Sequence, residues 1–422
     1  MPTRRTFLKQ SAGLVAAGVI LPSTLVSRAQ AQSAERKILV VIQLQGGSDG
    51  LNMVVPYTDS LYHSYRPNLH FTESELRDDA GNSTVVSSRF GLHPALKEIK
   101  SLYDSGRVAI IQGVGYPNPN LSHFTSMDIW HTANPNGGSG LGWLGRYADI
   151  KLAGEKGLPA AGVGGVPVKS LFAEKVVIPS ISNFDAFQFV TDAQFPSDRQ
   201  NQVSLFNTTY GRSFPSESFM AAIAGTGVGA VAGADQVQGA IADYSSPVTY
   251  PEGNPLAAGM KMLAQIIITI PEASLLYVQM GGFDHHSQQI AFENNQPNKL
   301  AGQHHQLLGY FSQAVKAFYD DMAAHNLADR VLMIEWSEFG RRPRENASLG
   351  TDHGTVEPLF IIGDRVRGGI KGEMPSLSDL DQAGNMKFTL DFRSVYAEAL
   401  DKWLDVDSRA VLGSQFEHAG FL

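Results

Sequence analysis

Carboxylates and imidazoles gather at the ends of short apolar runs in this chain. The run 273–280 (ASLLYVQM) leads into Gly281-Gly282-Phe283-Asp284-His285-His286. Another, 331–336, runs directly into Ser337-Glu338-Phe339-Gly340, and Asp352-His353 precede a third, 358–362. Near the N-terminus, 37–44 (KILVVIQL) ends in a glycine turn carrying Asp49. An Asp with a His two residues later can set two ligands around one divalent ion. The chain has no cysteine, so a thiolate site is excluded. Oxygen and imidazole ligands suit Zn, Mn, Mg or Ca. The candidate ligands are therefore Asp49, Asp284, His286, Glu338, Asp352 and His353. Ser122 follows the run 108–114 and a Pro-rich turn, at a helix start. A hydroxyl there can attack an ester beside backbone N–H groups that stabilise the developing anion. Arg341 or Arg342 can bind anionic substrate oxygens through two parallel hydrogen bonds. Each residue also has a plainer role: Asp49 and Ser122 as caps, the loop 338–353 as solvated surface. His304 and His305, in the first turn of the helix expected at 303–325, read individually as solvated or capping residues.

These residues need a scaffold that brings distant segments to one edge. The apolar runs are rich in β-branched residues and Leu, as strands buried on both faces are. Helical patterns fall between them, as at 93–102, 256–268 and 303–325. Alternating strands and helices imply a three-layer α/β sandwich with a central, mostly parallel sheet. Strands are expected at 38–44, 108–114, 273–280, 330–336 and 358–362, and a further one at 174–179. In a parallel sheet the strand ends meet along one edge, where such folds keep their chemistry. From 185 to 253 small and polar residues accumulate, which reads as a helical insertion.

Bulk properties narrow the function. Of 422 residues, 43% are hydrophobic, enough for a full core. The formal charge is −8 and there is no long basic run, which excludes nucleic acid as a partner. Residues 1–31 carry Thr3-Arg4-Arg5-Thr6-Phe7-Leu8-Lys9, an apolar segment and a small-residue site at Ala29-Gln30-Ala31. This is the pattern of a cleaved twin-arginine export signal. A membrane anchor is the alternative, but Pro22 breaks the apolar run and leaves it short for a span. Cleavage leaves 32–422 as one domain with 29 basic and 41 acidic residues, −12 in all. The mature chain is expected in the periplasm or outside the cell, with the export machinery as a transient partner and no membrane span.

Nearly the whole mature chain resembles the family of unknown function numbered fifteen hundred and one. The resemblance rests on LQGGSDGLNMVVP, YPNPNLSHFTSMDIW, GWLGRY, GGFDHH, SEFGRRPRENASLGTDHG and DFRSVYAEAL. That family is similar in turn to the alkaline phosphatase superfamily, with its sulfatases and metal-dependent phosphoglycerate mutases. The resemblance implies an alkaline-phosphatase-like fold, Asp49 as a metal ligand and Ser122 as nucleophile. Asp284 and His286 would bind the other metal. Glu338 and Phe339 occupy the place of the superfamily's Asp-His pair, so Phe339 stands where a histidine ligand is implied. Asp352-His353 fall where the distal histidine belongs. The implied function is an exported metal-dependent hydrolase of phosphate or sulfate esters, with a small anionic ester as substrate. The alternative is a non-catalytic exported binding protein on the same scaffold.

Overall fold

A computed structural model describes residues 36–422, apart from 137–139, 156, 165, 185–194, 213, 215–219, 221–223, 225–226, 229–230, 232, 235, 240–242 and 295. The segment expected to be an export signal and much of the expected insertion lie outside the described residues. Eleven strands matter to the site. They are β1 (Ile38–Leu44), β2 (Val108–Gly115), β3 (Ala160–Val163), β4 (Ser180–Ile181), β5 (Leu275–Met280) and β6 (Val331–Trp336). Then come β7 (Arg341–Glu345), β8 (Thr351–His353), β9 (Glu357–Ile362), β10 (Gly369–Lys371) and β11 (Leu390–Asp391). Nine of these form one sheet in the order β10-β2-β9-β6-β1-β5-β3-β4, with β11 also pairing β2. All five strands expected along the edge argument are in it.

One strand decides the geometry. β9 runs antiparallel to both its neighbours, β6 and β2, while every other pair in the sheet is parallel. The start of β9 therefore lies beside the ends of β1, β5 and β6. The hairpin β7–β8, which pairs Arg341 with His353, precedes β9 at that same edge.

The core follows from alternation along β1, whose seven residues are all buried. Ile38, Val40, Ile42 and Leu44 face one apolar layer, and Leu39 and Val41 face the other. The first layer is closed by α1 (Lys97–Asp104), α5 (Pro255–Thr269) and α6 (Gln303–Ala324), with Ile99, Met260, Leu263, Phe311 and Val315 packed inward. The second is closed by α2 (His123–Thr132), α3 (Trp143–Lys151) and α7 (Phe392–Glu398), through Trp130, Trp143 and Tyr396. Each fully buried Ile, Leu or Phe contributes roughly 1.5–3 kcal/mol of transfer free energy, so these two layers dominate the fold. Lys37–Leu422 form one compact unit.

The strand expected at 174–179 is not one. The sheet is extended instead by β3, Ala160-Ala161-Gly162-Val163. Its glycine sits in a tight place: a Cβ on Gly162 would stand 3.0 Å from the Leu171 side chain. Low β-propensity hides such a strand from its own sequence. In the insertion region α4 (Pro196–Tyr210) is helical, and so are residues 233–234 and 236–239. The chain then returns to the body where Tyr244, Ser246 and Tyr250 all donate to the buried carboxylate of Asp321 on α6. No helix among the described residues is long and apolar enough to cross a membrane.

Candidate metal centre

The edge is built first by glycine. Gly46 (φ +124°) and Gly47 (φ +76°) adopt backbone that L-residues rarely reach. A Cβ at Gly46 would stand 2.6 Å from the Asp284 nitrogen, and one at Gly47 would stand 2.3 Å from the Phe339 ring. The turn after β1 can thus lie directly on the ends of β5 and β6. Helix α2 is held over β6 by Trp130, which stacks on Trp336 with centroids 5.1 Å apart. Ser126 on α2 also donates to the Glu338 carbonyl.

Three imidazoles then converge on one carboxylate. His353 Nε2 lies 3.1 Å from Asp284 Oδ1, and His286 Nε2 lies 3.2 Å from the same oxygen. His123 Nε2 stands 3.5 Å from Asp284 Oδ2. The Nε2 atoms of His286 and His353 are 2.9 Å apart. The ligand atoms of His123, Asp284 and His353 all lie within 4.8 Å of one another.

The opposite nitrogen of each ring is committed elsewhere. Nδ1 of His123 meets Glu338 Oε1 at 2.7 Å, and Nδ1 of His353 meets the Leu121 carbonyl at 2.8 Å. Nδ1 of His286 faces Asp352 Oδ1 at 3.3 Å. A carbonyl or carboxylate oxygen accepts, so each Nδ1 carries the proton and each Nε2 presents a lone pair. Three lone pairs and a carboxylate face one another, and the buried Nε2 of His123 has no hydrogen-bond partner. Such a cluster could hold a cation at its centre. Ligand atoms about 2.1 Å from one ion stand roughly 3–3.5 Å apart; the contacts to Asp284 run from 3.1 to 3.5 Å, and His123, Asp284 and His353 are the set close enough throughout to share one ion. The donor set fits a divalent ion, and the Nδ1 acceptors are the outer partners that orient metal-binding histidines.

Local charge agrees. Burial alone would raise the Asp284 carboxyl, but the Arg341 guanidinium, which donates to it and carries a positive charge, leads the opposing effects that bring its pKa to about 2. The Glu338 hydrogen bond raises the pKa of His123, whereas burial lowers that of His353. Asp352 is held below the usual carboxylate range: burial raises it, but Asn346 and His286 donate to it and prevail.

A family model described as a protein of unknown function (DUF1501) matches residues 199–413, just over half of the chain. The chain belongs to this family. The matched part of this DUF1501 chain holds Asp284, His286, Glu338 and His353, while His123 comes from outside it. No curated protein matches the chain in sequence. Among solved structures it is similar to the zinc complex of the C-terminal periplasmic domain of EcEptC from Escherichia coli, with TM-score 0.36 and 10% identity over 89% of this chain and 84% of that one. It is similar also to the PsFucS1 sulfatase from Pseudoalteromonas sp. (TM-score 0.35, 11% identity, 93% and 75% covered). A third is a protein in the alkaline phosphatase superfamily from Vibrio parahaemolyticus (TM-score 0.31, 11% identity, 81% and 63% covered). Likenesses this distant leave the chemistry to be argued from the residues.

Of the residues expected from the sequence, Asp284, His286 and His353 stand in the cluster, and Asp352 and Glu338 stand behind it. Glu338 is fully buried and also accepts from the Gly46 N–H at 2.9 Å, so it orients His123 rather than facing outward. Ser122 is exposed and makes no cap hydrogen bond with its own helix. Its neighbours on either side, Leu121 and His123, both hold the cluster.

Two expectations are corrected. Asp49 is not with the cluster: Arg66 grips both its oxygens, at 2.6 and 2.8 Å, and Gln289 donates to it as well. Arg66 also bonds the carbonyls of Arg342 and Pro343, so the pair pins β7. Arg341 is not available to a substrate either. It is buried, and it donates to the carbonyls of Gly46, Gly47, Phe283 and Thr351 and to Asp284. It ties four segments together beneath the site. Half-buried Arg342, whose Nε approaches the His353 carbonyl at 3.4 Å, lies nearer the surface.

His123 is the residue the sequence reading missed. Its signal was a histidine immediately after Ser122, at the start of the helix. It supplies an imidazole 4.8 Å from the Phe339 ring, beside the position where the resemblance implied one.

Proposed function

We propose that this chain is an exported hydrolase of phosphate or sulfate esters that works with a divalent metal ion. One observation carries the reading: three imidazole Nε2 atoms converge on Asp284, each with its Nδ1 already committed, next to an exposed, uncapped serine. An imidazole-rich set favours zinc or manganese over magnesium or calcium. An ion held by His123, Asp284, His286 and His353 would polarise the ester and lower the pKa of the attacking group. Ser122 Oγ attacks phosphorus or sulfur, forming the new O–P or O–S bond as the ester bond breaks. The serine proton passes to the leaving alcohol, and water then releases the anion and restores the hydroxyl. Arg342, half-buried with its Nε near the His353 carbonyl, would bind the outer anionic oxygens. The −12 charge of the mature chain repels anions at long range, so attraction must be local.

The test joins metal analysis of the purified protein to turnover of aryl phosphates, phosphodiesters and aryl sulfates. Hydrolysis should need the ion and nearly vanish in Ser122→Ala. Metal-dependent activity that survives Ser122→Ala would transfer the attack to water. Buried Phe339, in place of an implied ligand, favours a second reading as a binding protein. Metal uptake without turnover of any ester would select it. Export rests on the twin arginines, and periplasmic accumulation of an Arg4→Lys, Arg5→Lys precursor would rule that route out.

A further inference from the structure

The two loops that carry the metal centre share a second feature. Residues 286–292 and 346–352 meet again just beyond the cluster, where Gln288 N–H donates to the Ser348 carbonyl and Gln289 N–H to the Leu349 carbonyl. There they wall a cavity of about 610 Å³ with the first turn of α6. That volume is in the range of small-molecule sites. Gln288 in the cavity wall is two residues from His286, and Leu349 is four from His353, so the loops that wall the cavity are the ones that carry the centre.

Its chemistry differs from that of the centre. Gln288, Gln303, Gln306 and Ser348 supply three carboxamides and a hydroxyl, and His305 an imidazole. None of the lining residues is Asp, Glu, Lys or Arg. Phe292, also in the lining, is 58% exposed. Carboxamides and hydroxyls both donate and accept, which matches a ring of neutral hydroxyls and gives an ion no partner of opposite charge. An exposed aromatic face suits the C–H face of such a ring. The backbone adds a separate observation. Gln288 (φ +54°) and Leu349 (φ +55°), both in the cavity wall, sit in the left-handed region without being glycine. That conformation is strained for a residue with a side chain, and such strain concentrates at ligand sites.

We propose that this cavity binds the uncharged sugar ring of the substrate, with the ring's phosphate or sulfate ester directed to the metal centre. The ester part rests on the function proposed above, while the sugar part stands on the cavity alone. The test is saturation-transfer NMR of the purified protein with a mixture of neutral mono- and disaccharides. At least one sugar should give a signal, and a Phe292→Ala, Gln306→Ala double variant should reduce it at least tenfold. Both side chains are exposed, so their removal leaves the core intact, which thermal melting would verify. No signal from any sugar, or a signal that survives the double variant, overturns the proposal. Turnover of aryl phosphates and sulfates, measured separately, reports on the metal centre, so the two readings fail independently.

Discussion

His285 and His286 are consecutive, yet they belong to groups of histidines in opposite chemical states. His286 joins His123 and His353, where every Nδ1 has an oxygen acceptor and every Nε2 faces Asp284. His285 lies in a row with buried His304 and His93 and half-buried His305. Its rings meet at centroid distances of 5.4–5.6 Å, two of the three contacts edge to face. Neither nitrogen of His285 or His304 has a partner among the described residues. Burial drives the pKa of His304 and His93 well below the ordinary value and that of His285 to about 4. The number of imidazoles is similar. What separates the groups is an oxygen behind each ring and a carboxylate in front of it. Without those, nearby histidines are neutral packing groups.

The strongest way to break this comparison is to remove the carboxylate. Asp284→Ala should lower metal affinity by more than about a hundredfold, beyond what an outer partner contributes, and hydrolysis should fall with it. Metal content by mass spectrometry decides this. Equal metal in Asp284→Ala and wild type would mean that the ion, if any, sits elsewhere.

Asp49→Ala tests whether that carboxylate is structural. It strands the buried Arg66 guanidinium, which should cost about 3–5 kcal/mol in urea unfolding, while metal stoichiometry in the folded fraction holds. Loss of metal with little change in stability would restore Asp49 as a ligand.

Glu338→Gln probes the oxygen behind the ring. The amide still accepts from His123 Nδ1 but carries no charge, and metal affinity should drop about 10–100-fold. An unchanged affinity would remove the outer partner from the account.

His304→Leu has the smallest expected effect and the most telling sign. Replacing an unpartnered buried imidazole with an apolar side chain should be neutral or stabilising by about 1 kcal/mol. Folded His304 titrates well below 6.5, its ordinary value. Below pH 6.5 the unfolded chain therefore takes up a proton that the folded chain refuses, and stability falls as pH falls. The slope approaches about 1.4 kcal/mol per pH unit for each such histidine, and His304→Leu should remove one share of it. A loss above 2 kcal/mol in that variant would show the row to be satisfied by groups of its own.

Much of the scaffold was legible locally. Runs such as Val331–Trp336 and Ile38–Leu44 are apolar throughout because both faces are covered, and this shows in the residues themselves. The loops after them hold Asp284, His286 and His353, and strand ends in such a sheet must meet at an edge. β3 was hidden because Ala and Gly fit a tight place and carry little strand preference. The sense of β9 could not be read either, since periodicity looks the same in both directions.

What the sequence by itself determined is five of the strands of the central sheet, the three-layer order and the edge at which acids and imidazoles collect. Only the tertiary structure decided which of those groups act together. Asp49 went to Arg66, Arg341 to four carbonyls and Asp284, and His123 came in from a helix whose partner Glu338 is 215 residues away. The reason is physical. Strand formation depends on neighbours along the chain, but a buried charge takes whichever opposite charge or hydrogen-bond partner the packed fold brings within about 3 Å, and sequence distance does not enter that choice.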